Sequence, residues 1–148
     1  MLYPVPTQLR VGTVTGRQLR AFWEDEVDHV FADDPRRLFG GWLPRVSGMA
    51  VRFRVDRPRG KRVTEISVNG EPLDDARVYS IVACEREGDA PDALCRIRGV
   101  ANARTLDVDI HTAIREQLAR RGTIRDVPRE RVVAEDLPAR VFSQFERR

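Results

Sequence analysis

The sequence has few of the residues that enzymes use for metal binding or nucleophilic attack. It contains two histidines, His29 and His111, and two cysteines, Cys84 and Cys95. A two-metal hydrolytic site needs several His, Asp or Asn ligands around ions about 3.5–4 Å apart. No Gly-x-Ser-x-Gly motif, zinc-type cysteine spacing or phosphate-binding loop occurs either. We therefore predict no catalytic residue, no metal site and no cofactor in this chain.

The few histidines and cysteines leave alternatives open. His29 follows Asp25 by four residues in a predicted helix, so the two side chains could form one corner of a metal site. A solvated or ion-paired histidine is the more common outcome of that spacing. For Cys84 and Cys95, buried free thiols are favoured because cysteine is often buried, and a disulfide between them is the alternative.

Long apolar segments and lysines are also scarce. No stretch approaches the roughly 18 apolar residues of a membrane-spanning helix, and no export signal is visible at the amino terminus, so we expect no membrane contact and a cytoplasmic location by default. Lys61 is the sole lysine, and the net charge of +3 comes from arginine. The basic run from Arg57 to Arg62 predicts a solvated turn, because nucleic-acid binders spread charge over a face and interleave aromatic residues. We expect no nucleic-acid partner.

The residues that are present predict one folded domain. Of 148 residues, 41% are hydrophobic and 33% are charged, as in ordered globular proteins. No repeat or linker is apparent, so we expect a single domain over residues 1–148, with a core over about 3–122 and a tail over 123–148.

Periodicity predicts an α+β fold with a mixed or antiparallel sheet and two main helices. An apolar stripe at steps of three and four predicts a helix over about 16–31. A second helix is predicted over about 109–121, ending at Gly122, and its inner face carries Ile110, Ala113, Ile114 and Leu118. Asn69-Gly70 suits a tight hairpin turn. Alternating or β-branched segments predict strands over 8–14, 49–55, 63–68, 77–84 and, in the tail, 131–134.

Four segments, in order and in register, resemble the C-terminal domain of the 5′-nucleotidase family. They are Pro4-Val5 with the following strand and Thr13-Val-Thr-Gly16-Arg-Gln-Leu19; Val46-Ser-Gly48-Met49; Ile66-Ser-Val-Asn69-Gly70-Glu-Pro-Leu73; and Tyr79-Ser-Ile-Val-Ala83. Further motifs resemble the thiosulfohydrolase (SoxB) branch, namely Trp23 to Phe31, Asp34-Pro35, Gly40-Gly41 and Arg45-Val-Ser-Gly48. The resemblance covers most of residues 3–85 and fades in the tail.

This resemblance implies how the domain takes part in a reaction. Family enzymes hold two metals on an N-terminal metallophosphoesterase domain, and the C-terminal domain supplies substrate contacts. The resemblance also implies a C-terminal domain that is truncated at its N-terminal side, without the family's glycine-rich substrate loop. Family members are often exported, whereas this sequence shows no signal.

The resemblance further implies which residues lie near a substrate. Family nucleotidases place the base between two phenylalanines, and the corresponding positions here are Val5 and Arg86. Since stacking contributes roughly 1–3 kcal/mol per base, we expect a ligand other than a nucleotide. The glycine pair of the same loop is reduced to Gly88. The candidate substrate-binding residues are Val5, Arg45, Glu85, Arg86 and Gly88.

Three functions are compatible with the sequence. The first is a non-catalytic substrate-side or assembly domain. The second is one subunit of a split metal-dependent hydrolase of phosphoesters, nucleotides or sulfur esters, with a separate metallophosphoesterase chain as partner. The third is an interaction protein without a ligand. We also expect an exposed apolar edge that another chain or a second copy covers.

Overall fold

The computed structural model describes residues 7–38, 40, 42–84, 88, 90–124 and 131–137. These residues form an α+β fold with two α-helices, as predicted from the sequence. The elements, in chain order, are β1 (Gln8–Thr15), α1 (Gly16–Val30), a 3-10 turn (Pro35–Arg37), β2 (Met49–Phe53), β3 (Val63–Val68), β4 (Glu71–Pro72), β5 (Val78–Cys84), β6 (Ala101–Asp109), α2 (Ile110–Arg121) and β7 (Val132–Ala134).

The chain divides into two compact units. Unit 1 consists of Met1–Phe22 and Asp74–Arg129, and unit 2 consists of Trp23–Leu73 and Glu130–Arg148. The division falls inside α1, so each unit contains part of this helix and a sheet of its own.

Unit 1 contains a three-stranded sheet in the order β5-β1-β6, and both pairings are antiparallel. Along β1 the buried positions are Arg10, Gly12 and Val14, so Leu9 and Val11 lie half-buried on the opposite face. The buried apolar residues of the unit are Val14, Leu19, Ala93, Leu94, Ile97 and Val100. Most of this core therefore comes from residues 93–100, for which the sequence pattern predicted no element.

The start of α1 explains the Thr-Gly-Arg-Gln motif. Thr15 Oγ1 accepts a hydrogen bond from the Gln18 N–H at 3.2 Å, and Gln18 Oε1 accepts one from the Thr15 N–H at 2.8 Å. This reciprocal pair is a capping box, which satisfies backbone donors that the first turn leaves unpaired. Gly16 sits where the chain approaches Asp74 so closely that an added Cβ would lie 2.0 Å from the Asp74 carbonyl oxygen. The motif therefore begins a helix where only glycine fits.

The second helix, α2, forms where it was predicted, but one residue that was predicted to face the core is exposed. Asp109 is the N-cap residue, and its carboxylate accepts from the Thr112 N–H and hydroxyl, which holds the pKa of Asp109 below its usual value. Gly122 ends the helix. Leu118, predicted to face the core, is 46% exposed, because the half of α2 from residue 115 onward has no covering element among the described residues.

Strand β6 was not predicted from the sequence. Its burial follows no clean alternation, and each of its nine residues is exposed or half-buried. Its register with β1 also shifts twice, between Gln8 and Arg10 and between Val11 and Thr13. A strand with irregular hydrogen bonding to its neighbour does not alternate buried and exposed residues, and this alternation is the pattern from which strands are predicted.

Unit 2 contains a four-stranded sheet in the order β4-β3-β2-β7. Strand β2 pairs antiparallel with β3 and parallel with β7, so the sheet is mixed, as expected. The α1 residues Trp23 and Val27 are buried, as are Val51 and Phe53 of β2. The ring of Phe53 also contacts that of Phe31, with centroids 5.6 Å apart.

Two predicted features of unit 2 are confirmed. Asn69 and Gly70 have φ values of 52° and 86° and connect β3 to β4, as a tight hairpin turn requires. The predicted strand in the tail corresponds to β7. Of the predicted tail, residues 125–130 and 138–148 lie outside the described residues.

Candidate functional site

The structure describes two of the five predicted substrate-binding residues. Arg45 is exposed and lies in the irregular segment before β2, in unit 2. Gly88 is exposed, has a φ of 84°, and lies after β5 in unit 1. Val5, Glu85 and Arg86 lie outside the described residues. Arg45 and Gly88 thus belong to different units of the chain.

A buried arginine holds the chain just beyond the Gly88 loop. Arg10 is 8% exposed, and its guanidinium donates to the carbonyl of Pro91 at 2.7 Å and to that of Ala93 at 3.3 Å. These bonds fix the backbone at the point where the loop returns to the core. Sequence analysis missed Arg10 because an arginine in an alternating strand is ordinarily placed on the solvent face.

Asp28 is the centre of a buried ion-pair network in unit 2. Its side chain is 4% exposed, and its oxygens lie 3.0 Å from Nε of Arg59 and 3.2 Å from Nη1 of Arg62. Arg62 is itself 7% exposed and also donates to the carbonyl oxygens of Phe31 and Arg57. A buried guanidinium needs such a set of acceptors to offset its lost hydration.

Glu24 attaches the same turn to α1. Its carboxylate accepts hydrogen bonds from the backbone N–H groups of Arg62 at 2.9 Å and Val63 at 3.0 Å. The prediction of a solvated basic turn is therefore wrong for Arg62, because the Asp28 carboxylate on α1 and the Phe31 carbonyl just after α1 surround its guanidinium. It is correct for residues 57–61, which are exposed.

A mixed-charge cleft of about 530 Å³ lies beside this network. Two of its arginines, Arg37 and Arg57, form no side-chain hydrogen bond or ion pair with any residue that the structure describes. The lining residues are Asp28, Ala32, Asp33, Asp34, Arg37, Val55, Asp56, Arg57, Pro58, Arg59 and Arg62. Asp34 and Asp56 are paired with Arg36 and Arg54, outside the lining. The cleft therefore combines the N–H donors of Arg37 and Arg57 with the carboxylates of four aspartates.

The histidines and cysteines form no metal centre in the described part of the chain, where no three His, Cys, Asp or Glu residues group together. Asp25 is exposed and His29 half-buried on α1. Cys95 is half-buried and outside any disulfide, so the bridge to Cys84 is not formed. Neither described helix is long and apolar enough to cross a membrane.

Comparison with known proteins extends these observations. The family model of the 5′-nucleotidase C-terminal domain matches residues 1–85. The sulfate thiohydrolase SoxB of Thermus thermophilus, solved with glycerol, is similar with a TM-score of 0.68 and 27% identity, over 92% of this chain and 24% of that chain. A 5′-nucleotidase precursor, also from Thermus thermophilus, shares the fold with a TM-score of 0.61 and 19% identity, over 89% of this chain and 26% of that chain. A search of curated proteins gives no match.

The fold is that of the C-terminal domain of 5′-nucleotidase and SoxB-type proteins. This chain belongs to the 5′-nucleotidase C-terminal domain family, since the match covers more than half of its residues. The resemblance predicted from the sequence motifs is thereby confirmed. The chain spans about a quarter of the length of the two solved relatives.

Proposed function

We propose that this domain supplies substrate contacts to a metal-dependent hydrolase and has no hydrolytic activity of its own. The observation that carries the proposal is the family match over residues 1–85. The resemblance implies that family enzymes bind their two metals on a metallophosphoesterase domain and contact the substrate with the C-terminal domain. Arg45 and the loop that contains Gly88 are the substrate-contacting elements in this proposal.

The proposed substrate is an anionic compound other than a nucleotide. Val5 and Arg86 stand at the two positions where family nucleotidases place phenylalanines, so neither offers an aromatic ring on which a base can stack. The similarity to SoxB, a sulfate thiohydrolase, supports a sulfur ester as the class of substrate. Arg45 is exposed and can pair with an anionic sulfur group.

A separate metallophosphoesterase chain is the partner in our second candidate function, a split hydrolase. The supporting observation is the family match over residues 1–85, because family enzymes hold their two metals on a metallophosphoesterase domain and not on the C-terminal domain. In both candidates the reaction occurs at metals that another domain binds. They differ in whether that domain is encoded in a different polypeptide.

Hydrolysis assays before and after co-purification test the proposal. We expect the purified chain with Mn²⁺ to hydrolyse neither nucleotides nor sulfur esters faster than buffer does. If a copurifying chain identified by mass spectrometry restores hydrolysis that a chelator abolishes, the split hydrolase is supported. Chelator-sensitive hydrolysis by the purified chain alone would show that the domain is itself catalytic and would overturn the proposal.

A further inference from the structure

Strand β5 forms one edge of the sheet in unit 1. Its inner side pairs with β1 over seven residues, from Thr15 opposite Val78 to Leu9 opposite Cys84. Within the described residues no strand pairs with its outer side. The outer side therefore presents backbone N–H and C=O groups that are available to another strand.

The sequence of β5 lacks the features that normally protect such an edge. The strand reads Val-Tyr-Ser-Ile-Val-Ala-Cys, with no charged residue and no proline. The opposite edge of this sheet, β6, carries Arg104, Asp107 and Asp109. In unit 2, the edge strand β4 is two residues long and includes Pro72. Because charges, prolines and short length discourage pairing between molecules, β5 is the least protected of these three edges.

An apolar surface borders the same edge. Val78 and Val82 point to one face of β5, and each is 60% exposed. Val82 lies opposite Val11 of β1, which is half-buried on that face. A strand added at the edge would cover these valines and pair with the backbone at the same time.

We propose that β5 pairs with β5 of a second copy of this chain, antiparallel and across a twofold axis. Two identical strands that pair antiparallel are related by a twofold axis. With the axis at Ile81, Ser80 of each copy lies opposite Val82 of the other, and every pair within the strand is uncharged. The two three-stranded sheets then form one continuous six-stranded sheet.

The charges that flank β5 favour this arrangement. Arg77 immediately precedes the strand and Glu85 immediately follows it in the sequence. Antiparallel pairing brings the beginning of one strand to the end of the other, so the sequence position of Arg77 in each copy falls opposite that of Glu85 in the other. Parallel pairing would instead bring like charges together, which is destabilising.

Molecular mass in solution tests the interface. By light scattering and sedimentation we expect the native chain to show twice the 16.9 kDa mass of the monomer. Val82→Lys places two lysines on one face of the new sheet and should raise the dissociation constant of the dimer at least about tenfold. Leu38→Lys, another apolar-to-lysine change at an exposed position but in unit 2, is the matched control and should remain a dimer.

Circular dichroism checks that each variant is folded. If Val82→Lys does not fold, Ser80→Lys repeats the test at an exposed polar position on the same strand. A monomeric native chain, or a dimer that persists in the folded lysine variants, would overturn the interface. Either result leaves the hydrolysis assay unaffected, so the interface and the proposed function can fail separately.

Discussion

Asp28 shows how much the stability of unit 2 depends on a single side chain. The carboxylate is almost fully buried and, among the described residues, is the one acidic partner of the buried guanidinium of Arg62. We predict that Asp28→Asn lowers the free energy of unfolding by about 3 kcal/mol, because Arg62 keeps its buried charge and loses its counter-charge. Urea denaturation at neutral pH measures the change.

Asp33→Asn is the control for that substitution. Asp33 lies in the same cleft, but its side chain is exposed and has no hydrogen bond or ion pair within the described residues. The Asp33→Asn variant should therefore unfold at nearly the same urea concentration as the native chain. Equal effects of the two substitutions would show that loss of negative charge in the cleft, rather than burial of the ion pair, determines stability.

Asp136 makes the folding stability of the chain depend on pH. Its carboxylate accepts hydrogen bonds from the backbone N–H of Val55 at 3.0 Å and of Asp56 at 2.8 Å, and these bonds hold its pKa below the ordinary 3.8. A lowered folded-state pKa means that the carboxylate stabilises the fold above about pH 3.8 and loses this effect as pH falls through the folded-state value.

We predict that Asp136→Asn unfolds more easily at pH 7 and loses less stability between about pH 4 and pH 2.5 than the native chain does. The amide has one carbonyl oxygen and no charge, so it cannot reproduce the two bonds of the carboxylate. Urea titrations across this pH range give the slope of the free energy of unfolding against pH for each protein. An unchanged slope would mean that the acid sensitivity arises from other carboxylates.

At the scale of elements, the beginning of α1 depends on Gly16. The Gly16 N–H donates to the Arg77 carbonyl at 2.9 Å and the Arg17 N–H to that of Asp75 at 3.0 Å, so the helix terminus lies directly against the chain before β5. We predict that Gly16→Ala lowers the free energy of unfolding by about 3 kcal/mol, because its methyl group would overlap the Asp74 backbone.

Gly60→Ala separates this steric effect from backbone strain. Gly60 has a φ of 71° and open space around it, so alanine there meets no atom and costs about 1–2 kcal/mol of conformational strain. Denaturation of both variants should rank Gly16→Ala as the more destabilised. The reverse order would contradict the close approach at α1.

Sequence reasoning predicted the elements whose pattern is local. A few neighbouring residues are enough to predict the apolar stripe of α1, the alternation of β2 and β3, and the Asn69-Gly70 turn. The core segment at 93–100 was missed because the bridge between Leu94 and Ile97 is too short to show a periodic pattern. Strand β6 was missed because its ladder is irregular and its partner, β1, is distant in sequence. Arg10 and Arg62 were missed as buried residues for the same reason, since their acceptors lie on other elements.

At the scale of the whole molecule, the proposed dimer and the proposed substrate contacts meet at β5. The Gly88 loop begins where β5 ends, and antiparallel pairing places the ends of the two copies at opposite ends of the paired strands. Seven residues of strand separate them by roughly 20 Å. The proposed dimer therefore keeps the two proposed substrate-contact regions apart.

Motifs and apolar periodicity are local properties of the chain, and they were enough to identify the family, the α+β class and the positions of both helices. The packing of distant segments places a buried segment, residues 93–100, after Gly88. It also buries Arg62 against Asp28, although residues 57–61 before it are exposed. It also decided that an uncharged strand lies at a sheet edge. The burial of a residue and the position of a strand at a sheet edge depend on which distant segments pack together. A single sequence shows this packing only indirectly.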